Sequence, residues 1–169
     1  MIHMLDDRSS EAWANVCAVI SMDSEKHIEF YLEKSKKHPG RILELGCATG
    51  RITKGLVAAG ADVQAIEPSL EMIKIANRRI GKLSDIRKVT ITRATLLGYE
   101  LKPDDTFGMA IVPRSGFMSL LTSSDQQQFL KKVRHSLSSN GCLIIDFQSP
   151  HQNIIFGDPG VLHHVRDVE

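Results

Sequence analysis

Apolar residues recur along this chain in two alternating rhythms. Trp13, Val16, Cys17 and Ile20 stand three and four apart, which predicts a first helix capped by Ser9 or Ser10. Ile28, Tyr31 and Leu32 mark one face of a second helix that starts near Asp23 and stops before Pro39-Gly40. The pattern then shortens into apolar runs. These predict strands over 41–45, 62–66, 88–93, 107–112 and 142–147. Helical spacing returns between them, over 51–59, 69–80 and 124–138. Gly60 and Gly81 sit where the first two of these helices should stop. In the third, Phe129, Leu130, Val133 and Leu137 form the apolar face, and Pro103-Asp104-Asp105 reads as a turn. Strands that alternate with helices imply an α/β fold with parallel strands and right-handed crossovers. The unbroken run Leu143-Ile144-Ile145 fits a sheet covered on both faces.

The junction between the first strand and the next helix carries the chemistry. It reads Arg41-Ile-Leu-Glu-Leu-Gly-Cys-Ala-Thr-Gly50, a strand ending in a tight glycine-bearing loop. Such loops let a backbone approach a nucleotide closely. Gly46 can adopt positive φ, and Gly50 brings no side chain against a ligand. A dinucleotide fingerprint would need glycines at 46, 48 and 51, but Ala48 and Arg51 stand there. A phosphate loop would need Gly-Lys-Ser/Thr, and Gly50-Arg51 does not supply it. What remains is acid-x-Gly-x-x-x-Gly, with Glu44 at the strand end. An acid there suits a ligand bearing an ammonium group and repels pyrophosphate.

Composition narrows the setting. The 169 residues suggest one domain, and 42% apolar content allows a sizeable core. A net charge of +1 with interspersed signs gives no footprint for nucleic acid or an acidic membrane. Cys17, Cys47 and Cys142 lack metal-ligand spacing, and His163-His164 lacks the i, i+4 spacing of a helical metal site. No metal is expected. There is no apolar stretch of the roughly 20 residues that span a bilayer and no secretory signal, so a cytoplasmic protein is expected.

The ordered elements resemble the class I S-adenosylmethionine-dependent methyltransferases. Glu44, Gly46 and Gly50 match their [DE]-x-G-x-G-x-G motif, with Ala48 at the middle glycine. Asp62-Val-Gln-Ala-Ile-Glu67 resembles the second strand, closing in an acid. Phe107–Val112 with Pro113-Arg114-Ser115 resembles the fourth strand and the segment after it. Ser139-Asn140-Gly141 followed by Cys142–Asp146 resembles the Pro-Gly-Gly fifth strand.

The resemblance implies a Rossmann-like, doubly wound, mainly parallel sheet of five to six strands with helices on both faces, short of the family's seven strands. It implies three regions: a helical lid over 1–37, a cofactor-binding core over 38–150, and a tail over 151–169. Trp13 and Tyr31 lie on the lid helices. Cofactor contacts are expected from Glu44, Gly46, Cys47, Ala48, Gly50, Glu67, Pro68, Thr95, Leu96 and Pro113. In this reading Glu44 meets the methionine ammonium and Glu67 the ribose hydroxyls. Thr95 stands where the family has an Asp for the adenine amino group, and the Leu96 amide serves the ring. Ser69 reads as the cap of the following helix. Replacing Glu67 with alanine should then weaken cofactor binding by roughly 1–3 kcal/mol and spare the unliganded chain.

The implied activity is methyl transfer to a small molecule by in-line displacement. No catalytic residue is identified. Arg114 is a candidate clamp for an acceptor carboxylate and His151 a candidate general base. Two rivals stand beside this reading. One is a cofactor-binding partner subunit without turnover; the other is an NAD-dependent oxidoreductase. The expected partners are a small-molecule acceptor and, through an open apolar edge at strand five, a second copy of the chain.

Overall fold

A computed structural model describes residues 11–20, 25–83, 88–102 and 104–147. Five strands form one all-parallel sheet in the order β3-β2-β1-β4-β5. They are β1 (Arg41–Leu45), β2 (Val63–Glu67), β3 (Val89–Arg93), β4 (Phe107–Val112) and β5 (Leu137–Ile145). The helices are α1 (Glu11–Ile20), α2 (Glu25–Lys37), α3 (Arg51–Ala58), α4 (Leu70–Ile80) and α5 (Ser123–Ser136), with a short 3-10 turn at Gly116–Ser119.

β1, β2, β4 and β5 feed both faces of the sheet in turn, whereas β3 gives Val89 and Ile91 to one. In β1, Ile42 joins one core cluster and Leu43 and Leu45 join the other. The first cluster takes Tyr31 from α2 and Ile52, Leu56 and Val57 from α3. The second takes Phe129 and Val133 from α5, with Tyr99 and Leu120 from the connections. Period-two burial against helices on both sides is why these strands read as nearly continuous apolar runs. A fully buried Leu, Ile or Phe here contributes roughly 1.5–3 kcal/mol. Helix α2 packs tightly on α3 because position 55 is glycine; a Cβ there would sit 2.5 Å from Ile28 Cγ2.

The predicted elements hold, with shifted ends. β1 and β4 have the predicted limits. The clearest difference is β5, which begins at Leu137 while Ser136 still closes α5. Phe107 pairs with Leu137, yet Met109 pairs with Cys142, so Ser138–Gly141 includes three extra residues that bulge out of register. Among the described residues β5 is an edge strand, paired with β4 and half-buried over Leu143–Ile145. The expected tail strand at 161–165, and any exchange through it, lie outside the described residues.

Sheet order positions the site. From β1 the chain steps outward to β2 and β3, then returns to the other side of β1 as β4. The reversal opens a crevice between the carboxyl ends of β1 and β4, where open α/β sheets take their ligands.

Candidate functional site

Glu44 is the fourth residue of β1 and is 1% exposed. Its Oε2 accepts a hydrogen bond from Thr53 Oγ1 at 2.7 Å. Its Oε1 is buried and accepts none among the described residues. Burial, with a smaller push from Glu67, raises the carboxyl to about 8, against the Thr53 hydroxyl, the Arg51 charge and the Thr53 backbone amide, which favour the anion. An orphaned oxygen on a buried acid is costly to keep. It is the feature that a donor-bearing cation would satisfy.

The loop above it is held open. Gly46 has φ of 90°, and a Cβ there would meet nothing within 4 Å. The Gly46 and Cys47 amides both donate to the Ile66 carbonyl, which fastens the loop to β2. Cys47 turns inward and joins the core, where burial raises its thiol well above the ordinary range. Ala48 has φ of 48°, a conformation that L residues adopt at a cost. Glycine at the family's middle position answers that requirement. Gly50 serves differently from the expectation. A Cβ there would lie 2.7 Å from Ala76 Cβ, so its missing side chain lets α4 approach and does not make room for a ligand.

Glu67 ends β2 and lies against the same loop. Its Oε2 accepts from the Ala48 amide at 2.9 Å and its Oε1 from the Ser69 amide at 3.0 Å. Burial raises its carboxyl, while the two amide bonds pull the other way. The carboxylate therefore holds Ala48 in its unfavourable conformation. One lone pair per oxygen remains for an outside donor. Ser69 caps α4, its hydroxyl accepting from the Met72 amide as predicted. Pro68 is exposed beside it.

The remaining strand ends are arranged as follows. Thr95 is exposed after β3, and its hydroxyl accepts the Gly98 amide at 2.9 Å, closing a turn. Part of its accepting capacity is thus used, although its O–H is still able to donate. Leu96 packs against the second core cluster. Pro113 is buried after β4. Arg114 and Ser115 follow with φ of 51° and 60°, two successive left-handed residues. The Ser115 amide donates to Asp146, to its carbonyl at 3.1 Å and its Oδ1 at 3.2 Å. Asp146 Oδ2 accepts from the Tyr31 hydroxyl at 2.8 Å. Tyr31 is therefore a core ring with its polar tip on the crevice, and burial together with Asp146 keeps its hydroxyl protonated. The Cys17 thiol of α1 lies within electrostatic reach of Arg114 and Glu67, and burial raises it. His151 and His163-His164 lie outside the described residues. Among the described residues no group of three His, Cys, Asp or Glu is placed to hold a metal, and no helix is long and apolar enough to cross a membrane.

Sequence reasoning missed Thr53, Arg79 and Asp146. Thr53 interrupts the apolar face Ile52, Leu56, Val57 and is fully buried, a polar residue where the pattern wanted none. Arg79 Nη1 donates to the Thr49 carbonyl at 3.1 Å and to its Oγ1 at 3.0 Å, bracing the loop from α4. Only the fold brings Asp146 to Tyr31, 115 residues away.

A parallel α/β sheet with a glycine loop at its switch point and acids on its first two strands defines a Rossmann-like protein. Residues 42–141 match the methyltransferase domain family, and the chain belongs to it. It is similar to a putative methyltransferase, YqeM, from Bacillus subtilis: 28% identical over 119 residues, 70% of this chain and 47% of that one. An uncharacterized methyltransferase from Bacillus cereus is 38% identical over 120 residues, 70% of this chain and 52% of the other. The chain spans about half the length of these curated relatives. The fold also matches the glycopeptide N-methyltransferase MtfA complexed with S-adenosylmethionine, at a TM-score of 0.60 and 23% identity, covering 70% of this chain and 52% of that one.

Proposed function

We propose that this chain binds S-adenosylmethionine at the carboxyl ends of β1 and β2 and methylates a small molecule. The observation that carries the reading is the buried, unpartnered Oε1 of Glu44 beneath an open glycine loop. An ammonium group fits that oxygen by charge and by donor count. Glu67 keeps one lone pair per oxygen for two vicinal ribose hydroxyls. Thr95 and the Leu96 amide flank the adenine end, and Pro113 backs the acceptor side. When bound, the sulfonium supplies an activated methyl group. The protein's part is to hold cofactor and acceptor in line and to exclude water. Arg114, exposed at the mouth of the crevice, is the residue best placed to grip an anionic group of an acceptor.

Two measurements test this. Calorimetric titration should give heat with S-adenosylmethionine and S-adenosylhomocysteine and none with NAD; the reverse pattern removes the reading. Incubation with methyl-labelled cofactor and a cell extract should put label into the small-molecule fraction. Label confined to nucleic acid or protein would leave the cofactor site intact and overturn the substrate class.

A further inference from the structure

Away from the strand ends, α3, α4 and the turn after α4 flank an open groove of about 550 Å³ that Lys54, Ile75, Arg78, Arg79 and Lys82 line. Among the described residues, four of these five are cations and none is an acid, in a chain whose net charge is only +1. The ion pairs of the described residues engage Lys37, Arg41 and Lys74. Lys54, Arg78 and Lys82 have no carboxylate partner among the described residues. The α4 dipole favours bases in its last turn and accounts for Arg78 and Arg79. It does not account for Lys54, which comes from α3. Nor does it account for Lys82, which lies beyond the end of α4. Among the described residues no acid offsets this convergence, which a bound anion would. Arg79 is pre-positioned, since its guanidinium is anchored on Thr49.

We propose that this groove is a second binding site, for a small ligand carrying two or more phosphate groups. Its volume is that of a small-molecule site. A duplex would need a basic stripe running beyond one groove. The site is independent of the cofactor reading.

Inorganic tripolyphosphate is the probe, titrated into the full chain at low ionic strength. The wild type should bind it, with affinity falling as salt rises. The triple variant Lys54→Ala/Arg78→Ala/Lys82→Ala should lose about ten-fold or more in affinity. It should keep its melting temperature, because these three side chains are exposed. Arg79 is left in place because it braces the loop. Lys54→Glu alone, on the other wall, should weaken binding in the same direction and serves if the triple variant melts early. Absence of binding by the wild type, or equal binding by the variants, overturns the proposal. So does a single-stranded oligonucleotide that binds where tripolyphosphate does not.

Discussion

The two ends of the sheet handle polar groups in opposite ways. At the amino end, Arg41 opens β1 and donates to Asp105 Oδ1 at 3.1 Å and to Gln64 Oε1 at 2.6 Å. Gln64 in turn donates to the Tyr99 hydroxyl, and Asp105 Oδ2 accepts the Lys102 amide. The Arg41 guanidinium also lies over the Phe107 ring. Nearly every donor there meets an acceptor. At the carboxyl end, Glu44 keeps an orphaned oxygen, and Ala48, Arg114 and Ser115 are the described non-glycine residues with positive φ. Strain and unmet hydrogen-bonding capacity gather where a ligand would bind, and the opposite end is built for stability.

That contrast is open to being broken, most strongly at Glu44. Its folded carboxyl lies near 8 against an ordinary 4.5, so the folded chain holds a proton that the unfolded chain has lost. Stability of the unliganded chain should therefore be highest below about pH 4.5 as far as this group is concerned. It should fall as pH rises toward 8, by on the order of 4 kcal/mol, and level off above. Glu44→Gln keeps an acceptor for Thr53 and carries no charge. It should flatten this part of the curve and make the chain more stable than wild type at pH 8. Denaturant melts of both proteins across that range decide it; parallel curves would mean that the site stores no such cost.

At the other end, Arg41→Ala should destabilise by roughly 2–3 kcal/mol, because Asp105 and Gln64 lose their partner. Affinity for S-adenosylhomocysteine should hold. A loss of affinity with unchanged stability would reverse the roles of the two ends.

Glu67 sharpens the comparison because it serves both purposes. Glu67→Ala should lower the stability of the unliganded chain by roughly 1–2 kcal/mol, since the Ala48 and Ser69 amides lose a charged acceptor. The sequence-based expectation that the unliganded chain is spared no longer follows. Melting temperature and ligand affinity should fall together. If the unliganded melt is unchanged, the loop does not depend on this carboxylate.

The smallest effect belongs to Ala48. Ala48→Gly relieves a left-handed residue but adds freedom to the unfolded chain, for a net gain of roughly 0.5–1 kcal/mol. A clear loss of stability would show that the residue is not strained.

Much of this was legible beforehand, for identifiable reasons. Strand ends at Leu45 and Val112 could be read because apolar runs stop at a glycine and a proline. Glu44 and Glu67 could be read as strand-end acids. Their hydrogen bonds could not, because Thr53 and the Ala48 amide reach them only through the fold. Gly50 carried the right residue for a reason that spacing hides, its contact with Ala76. The start of β5 was misplaced because Ser138–Gly141 has turn composition yet stays within the strand by bulging.

The proposed role of Glu44 is to receive an ammonium group on its orphaned oxygen. Titration of S-adenosylhomocysteine at pH 7, in buffers of differing ionisation heat, tests it most directly. At that pH most of the free chain carries a proton on Glu44, and an ammonium partner would favour the carboxylate. Binding should release up to about one proton per ligand. In Glu44→Gln the release should vanish and affinity should drop by about ten-fold or more. Binding without proton release in the wild type, with affinity unchanged in Glu44→Gln, would contradict the claim.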